Sequence, residues 1–123
     1  MRSSRFAVLA LLISLCGCDT AATRTAAGMT GGDPSRGASS ISKYGCGSCH
    51  TIPGIDGAHG MVGPPLAGIA RRVYVAGVLP NQPVNLMRWI QNPKAVDEKT
   101  AMPNLGVTAQ DATDIAAYLY SLK

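Results

Sequence analysis

Cys46-Gly47-Ser48-Cys49-His50 is a C-x-x-C-H pentapeptide, and its spacing reads as a covalent attachment site for c-type haem. Two thiols one helical turn apart can each form a thioether with a haem vinyl group, and the adjacent imidazole falls beneath the iron as proximal ligand. Other readings of the cysteines fit less well. A redox C-x-x-C expects a βαβ setting and has no use for the following histidine. A structural zinc site wants four ligands, yet the only other pair, Cys16 and Cys18, sits in a targeting-type segment. A disulfide between Cys46 and Cys49 would close a tight, strained loop.

That segment is the N-terminus of the 123-residue chain. Arg2 and Arg5 precede the apolar run Phe6 to Leu15, the order of a signal peptide over residues 1–17. The run is shorter than the roughly 20 apolar residues a spanning helix needs. It ends in Leu15-Cys16-Gly17-Cys18, which resembles the lipobox of bacterial lipoprotein precursors, with Cys18 as the lipidated residue; ordinary cleavage near Ala22 is the alternative. In such lipoproteins an Asp after the lipidated Cys tends to retain the protein at the inner membrane, and Asp19 stands there. The resemblance implies exposure on the periplasmic side of the bacterial inner membrane, held by acyl chains. The formal charge of +4 overstates the mature part. Without Arg2 and Arg5 the eleven Lys and Arg become nine, against seven acidic residues, a balance of +2. No basic patch for nucleic acid is expected.

Residues 18–32 are mostly Ala, Thr and Gly without periodicity and predict a lipid-anchored flexible tether. The folded domain is expected over 33–123. Asp33-Pro34 is a helix start, and Ala38, Ile41 and Tyr44 make an apolar stripe leading into the pentapeptide. Thr51 to Pro65 is rich in Gly and Pro and predicts an irregular loop, in which the Pro64 carbonyl can accept the Nδ1 proton of His50. Arg71 and Arg72 follow, suited to holding haem propionates. Pro83 opens a helix that must stop before Pro93, and Thr108 caps a last helix with Asp111 in the capping-box position. Candidates for the sixth iron ligand are His59 and the methionines. Met61 shares the His50 loop and Met87 fits a buried helix, whereas Met102 lies 52 residues past His50 on a loop stiffened by Pro103. Met102 is the choice, with His59 the alternative.

With these residues in place, the stretch from Asp33 to Lys123 resembles class I c-type cytochromes, the mono-haem cytochrome c family. Beyond the pentapeptide, Gly63-Pro64-Pro65-Leu66 looks like the family's Gly-Pro-x-Leu, and Leu86 to Lys94 is similar to its Leu-Met-x-Tyr-Leu-x-Asn-Pro-Lys helix end. Met102 falls where the axial methionine does, and Arg72 at the propionate-binding arginine. Trp89 stands where the family often has a tyrosine near the axial sulfur, Ile41 near a first-helix aromatic, and few lysines remain for a docking ring. The resemblance implies an all-α fold of three to five helices around one covalent haem c. It also implies one-electron transfer between redox protein partners, from a quinol-oxidising complex or dehydrogenase to a terminal oxidase or other acceptor. No small-molecule substrate or enzymatic chemistry is expected. The alternatives are a haem-based sensor of carbon monoxide or nitric oxide, and a bound cytochrome subunit of a larger oxidoreductase.

Overall fold

The computed structural model describes residues 20–123, so the signal-peptide reading of 1–17 and the lipidation of Cys18 lie outside the described residues. Helices dominate: α1 (Ala21–Thr30), α2 (Pro34–Lys43), α3 (Pro83–Gln91), α4 (Pro93–Val96) and α5 (Ala109–Ser121). Short 3₁₀ turns at Cys46–Ser48 and Ile69–Arg71 join them. None of these helices is long and apolar enough to cross a membrane.

The organising contact is the packing of α2 on α5. Asp33 accepts from the N–H groups of Ser35 and Arg36, and Pro34 occupies the first turn, so α2 begins where the sequence predicts. Its Ile41 is 1% exposed and central to the core. The helices touch at Gly37, where a Cβ would stand 2.1 Å from the Asp114 carbonyl oxygen; no other residue type fits the crossing. Asp114, itself buried, locks the same place. It accepts from the Asp33 N–H at 2.7 Å and from Arg36 Nε and Nη2 at 2.8 and 2.9 Å. The Arg36 hydrogen bonds hold its carboxyl below the usual range.

Composition predicts a flexible tether over 18–32, and from Thr20 onward the structure shows otherwise. Ala21–Thr30 form α1, capped by Thr20, whose Oγ1 accepts from Thr23 N–H, and closed by Gly31 at φ 76°. The helix packs on α5 with Ala26 at 1% exposure. Small residues without an apolar stripe hide the helix from a periodicity reading, because close approach to another helix replaces bulk.

A two-stranded antiparallel hairpin also lies outside the helical expectation. β1 (Tyr74–Val75) pairs with β2 (Leu79–Pro80) across a turn that puts Ala76 and Gly77 at φ 55° and 72°. Asn81 anchors its base: its Nδ2 donates to the carbonyls of Ile69 and Arg72, and its Oδ1 accepts from the Tyr120 hydroxyl of α5. Burial pushes that phenol up to about 12. α3 begins at Pro83 and ends at Gln91, with Asn92 as its cap, because Pro93 cannot continue the hydrogen-bond ladder.

Candidate functional site

A cavity of about 530 Å³ opens between α2, the loop to Leu66, the hairpin, α3 and the loop before α5. Cys46, Cys49, His50 and Met102 all line it, although 52 residues separate the last two in sequence. Its floor is aliphatic, made by Ile41, Leu86, Ile115 and Leu119.

The proximal side is set by backbone. The 3₁₀ turn Cys46–Ser48, entered through Gly45 at φ 69°, brings both thiols to the cavity wall. The chain then loops out and returns alongside itself, as Gly60 N–H donates to the Gly47 carbonyl at 3.0 Å and Gly63 N–H to the Cys49 carbonyl at 2.7 Å. The return places the Pro64 carbonyl 2.7 Å from His50 Nδ1. A carbonyl only accepts, so Nδ1 carries the proton and Nε2 is the nitrogen left with a lone pair for iron. A Cβ on Gly63 would lie 2.3 Å from His50 Cε1, so the glycine is what permits this ring position. Burial pushes the Cys46 thiol up from its ordinary value.

The distal side is set by side chains. Lys94 Nζ donates to the carbonyls of Glu98 and Thr100, Asn92 Oδ1 accepts from Asn104 Nδ2 at 2.9 Å, and Met102 N–H donates to Thr100 Oγ1 at 3.1 Å. Of the methionines among the described residues, only Met102 lines the cavity. Met61 is 90% exposed, Met87 packs against the core and receives the Thr113 hydroxyl on its sulfur, and His59 is exposed beside Thr51.

Arg72 lines the cavity and donates to the Pro65 carbonyl, while the exposed Arg71 folds its guanidinium over Gly68. Trp89 also lines the wall. The donor set fits a covalent haem: two thiols, one tautomer-fixed imidazole and one thioether around an apolar slot edged by an arginine.

The joint between the two sides was not legible in the sequence. Tyr44, two residues before Cys46, donates to Asp111 Oδ2 at 2.6 Å and accepts from the Thr108 N–H at 3.4 Å. Thr108 Oγ1 accepts from Asp111 N–H as a cap should, but the return half of the capping box is relayed through the tyrosine. Ser40 and Lys43 also donate to Asp111, and Tyr44 first, then Lys43, lower its pKa to about 2.

Comparison with known proteins agrees with the geometry. The family model for cytochrome c matches residues 34–123. A curated relative, cytochrome c oxidase subunit 2 of Alkalihalophilus pseudofirmus, is 33% identical over 79 residues, covering 63% of this chain and 22% of its own length. The chain thus spans about a fifth of that relative. No solved structure matches.

Proposed function

The chain belongs to the cytochrome c family, and from that membership we propose that it is a periplasm-facing one-electron carrier, lipid-anchored through Cys18 at the bacterial inner membrane. It takes electrons from a quinol-oxidising complex or dehydrogenase and passes them to a terminal oxidase or other acceptor. The family itself brings covalent haem c, haem-based electron transfer and redox protein partners, a carrier's role rather than an enzyme's. The reading rests on one observation, that Cys46, Cys49, His50 and Met102 converge on a single apolar cavity.

Haem supplies an iron that cycles between Fe(II) and Fe(III). Cys46 and Cys49 would hold the group by thioethers. His50 offers Nε2 because Pro64 keeps the Nδ1 proton, and a ring fixed by a carbonyl needs little rearrangement when the iron changes charge. Met102 would offer a soft thioether, a ligand type that favours the reduced state. Arg72, which lines the cavity, would pair a propionate, Trp89 lines the wall, and the aliphatic floor would limit solvent reorganisation during transfer.

A second reading, a cytochrome module bound to a larger oxidoreductase, is favoured by the similarity to an oxidase subunit. One experiment tests both readings and a second separates them. Membrane protein denatured in alkaline pyridine gives the spectrum of covalent haem c, and its absence would remove both readings. Pull-down of the tagged protein from gently solubilised membranes gives free carrier for the first and a stable large complex for the second.

A further inference from the structure

The helix α1 lies outside the residues that match the cytochrome c family, and its position changes what an anchor at Cys18 would do. A ten-residue helix made mostly of Ala, Thr and Gly is marginal alone, so its order comes from docking. Ala26 is 1% exposed against the core, and α1 packs on α5. Past its end, Gly32 lies so close to α5 that a Cβ would stand 2.3 Å from the Thr113 carbonyl oxygen. The next N–H, that of Asp33, is bonded to Asp114. The chain is therefore fastened to the domain from Thr20 onward.

We propose that α1 is a mount that takes up the anchor's slack, holding the haem domain close against the bilayer on a leash no longer than the two residue steps from Cys18 to Thr20. The proposal rests on the lipid-anchor reading of Cys18. Two residues span at most about 7 Å, whereas the fifteen residues of 18–32, if unfolded, would span about 50 Å. A domain on the short leash cannot swing between distant partners. It serves an acceptor or donor whose redox centre lies near the membrane plane, and α1 sets that height.

The test uses the full lipidated protein with its haem, in vesicles of phosphatidylethanolamine and phosphatidylglycerol carrying a headgroup fluorophore that haem quenches. One variant inserts a flexible Gly-Ser linker of about ten residues between Asp19 and Thr20. A second, Gly32→Val, pushes α1 off α5 at a point remote from the cavity. Quenching should be severalfold stronger in the parent than in either variant, and trypsin should cut at Arg24 severalfold faster in Gly32→Val than in the parent. Equal quenching in parent and linker variant overturns the mount, as does equal cleavage at Arg24. If Gly32→Val does not assemble, the linker variant carries the test alone. Intact mass of the membrane-bound chain reports acylation of Cys18 separately, so a missing anchor is told apart from an undocked helix, which trypsin detects without a membrane.

Discussion

The two halves of the cavity are built by different means. On the proximal side, from Cys46 to Leu66, backbone bonds to backbone: Gly60 to Gly47, Gly63 to Cys49, Leu66 to Thr51, with the Pro64 carbonyl on His50. On the distal side, from Asp97 to Gly106, the chain is mostly exposed and braced by the side chains of Lys94, Asn92 and Thr100. His50 is therefore held rigidly and Met102 adjustably. Backbone bonds survive most substitutions, so the imidazole is placed by the fold. The Met102 loop has backbone bonds only at its start, Asp97 N–H to the Pro93 carbonyl and Thr100 N–H to the Asp97 carbonyl, and is otherwise held by side chains, so single substitutions can loosen it.

Gly63→Val should have the largest effect, because the new side chain collides with the His50 ring and no rotamer relieves a Cβ contact of 2.3 Å. Overpacking of this kind costs about 1–3 kcal/mol, and covalent haem content, read from the pyridine spectrum, should fall to a small fraction of the parent's. Normal loading would mean that the proximal half is softer than its backbone bonding implies.

Gly37→Ala comes next and acts on both halves, since it parts α2, which leads to Cys46, from α5. An exposed helical glycine replaced by alanine ordinarily gains up to about 1 kcal/mol. Here the Cβ meets the Asp114 carbonyl, so the sign should reverse to a loss of about 1–3 kcal/mol in thermal or denaturant unfolding. A gain would show that the crossing can open freely.

Lys94→Ala should separate the halves most cleanly. It removes the donor to the Glu98 and Thr100 carbonyls, worth about 1 kcal/mol, and leaves the His50 side untouched. Haem content should stay at the parent level, while the fraction of protein with Met102 off the iron should rise about fivefold. Carbon monoxide uptake by the reduced protein measures that fraction. Loss of haem instead would show that the two halves are not independent.

The smallest effect concerns the joint. Asp111 has its folded pKa lowered to about 2 by Tyr44 and Lys43, beneath the unfolded value of about 4. A depressed carboxyl adds stability that is complete above the unfolded pKa and is lost as pH falls through the window from about 4 to about 2. Asp111→Asn should lower the melting temperature slightly at pH 7 and flatten its fall across that window, so that the two curves converge in acid. Parallel curves would remove Asp111 from the linkage.

Much of this site is readable from residues alone because its signals are local. The pentapeptide carries its own spacing, Asp33-Pro34 and Thr108 mark helix starts, and Pro93 marks a stop. Reach along the chain brings Met102 to the cavity wall, whereas Met61 shares the His50 loop and His59 sits in a polar loop. What escaped is long-range. The close crossing at Gly37 has its partner Asp114 77 positions away, and Arg36 meets the same carboxylate across 78. α1 escaped because alanines bind by proximity rather than by an apolar stripe. The Tyr74–Pro80 hairpin is too short for alternation to show. Tyr44 looked like one more stripe residue, and nothing near it in sequence announces Asp111.

The central claim is a closed haem site with His50 on one face and Met102 on the other. Mixing the reduced protein with carbon monoxide at neutral pH, beside the Met102→Ala variant, tests it most directly. The account predicts an unchanged visible spectrum for the parent over seconds and an immediate shift for Met102→Ala. Equally rapid binding by both would contradict it and leave the distal face open, as a sensor requires.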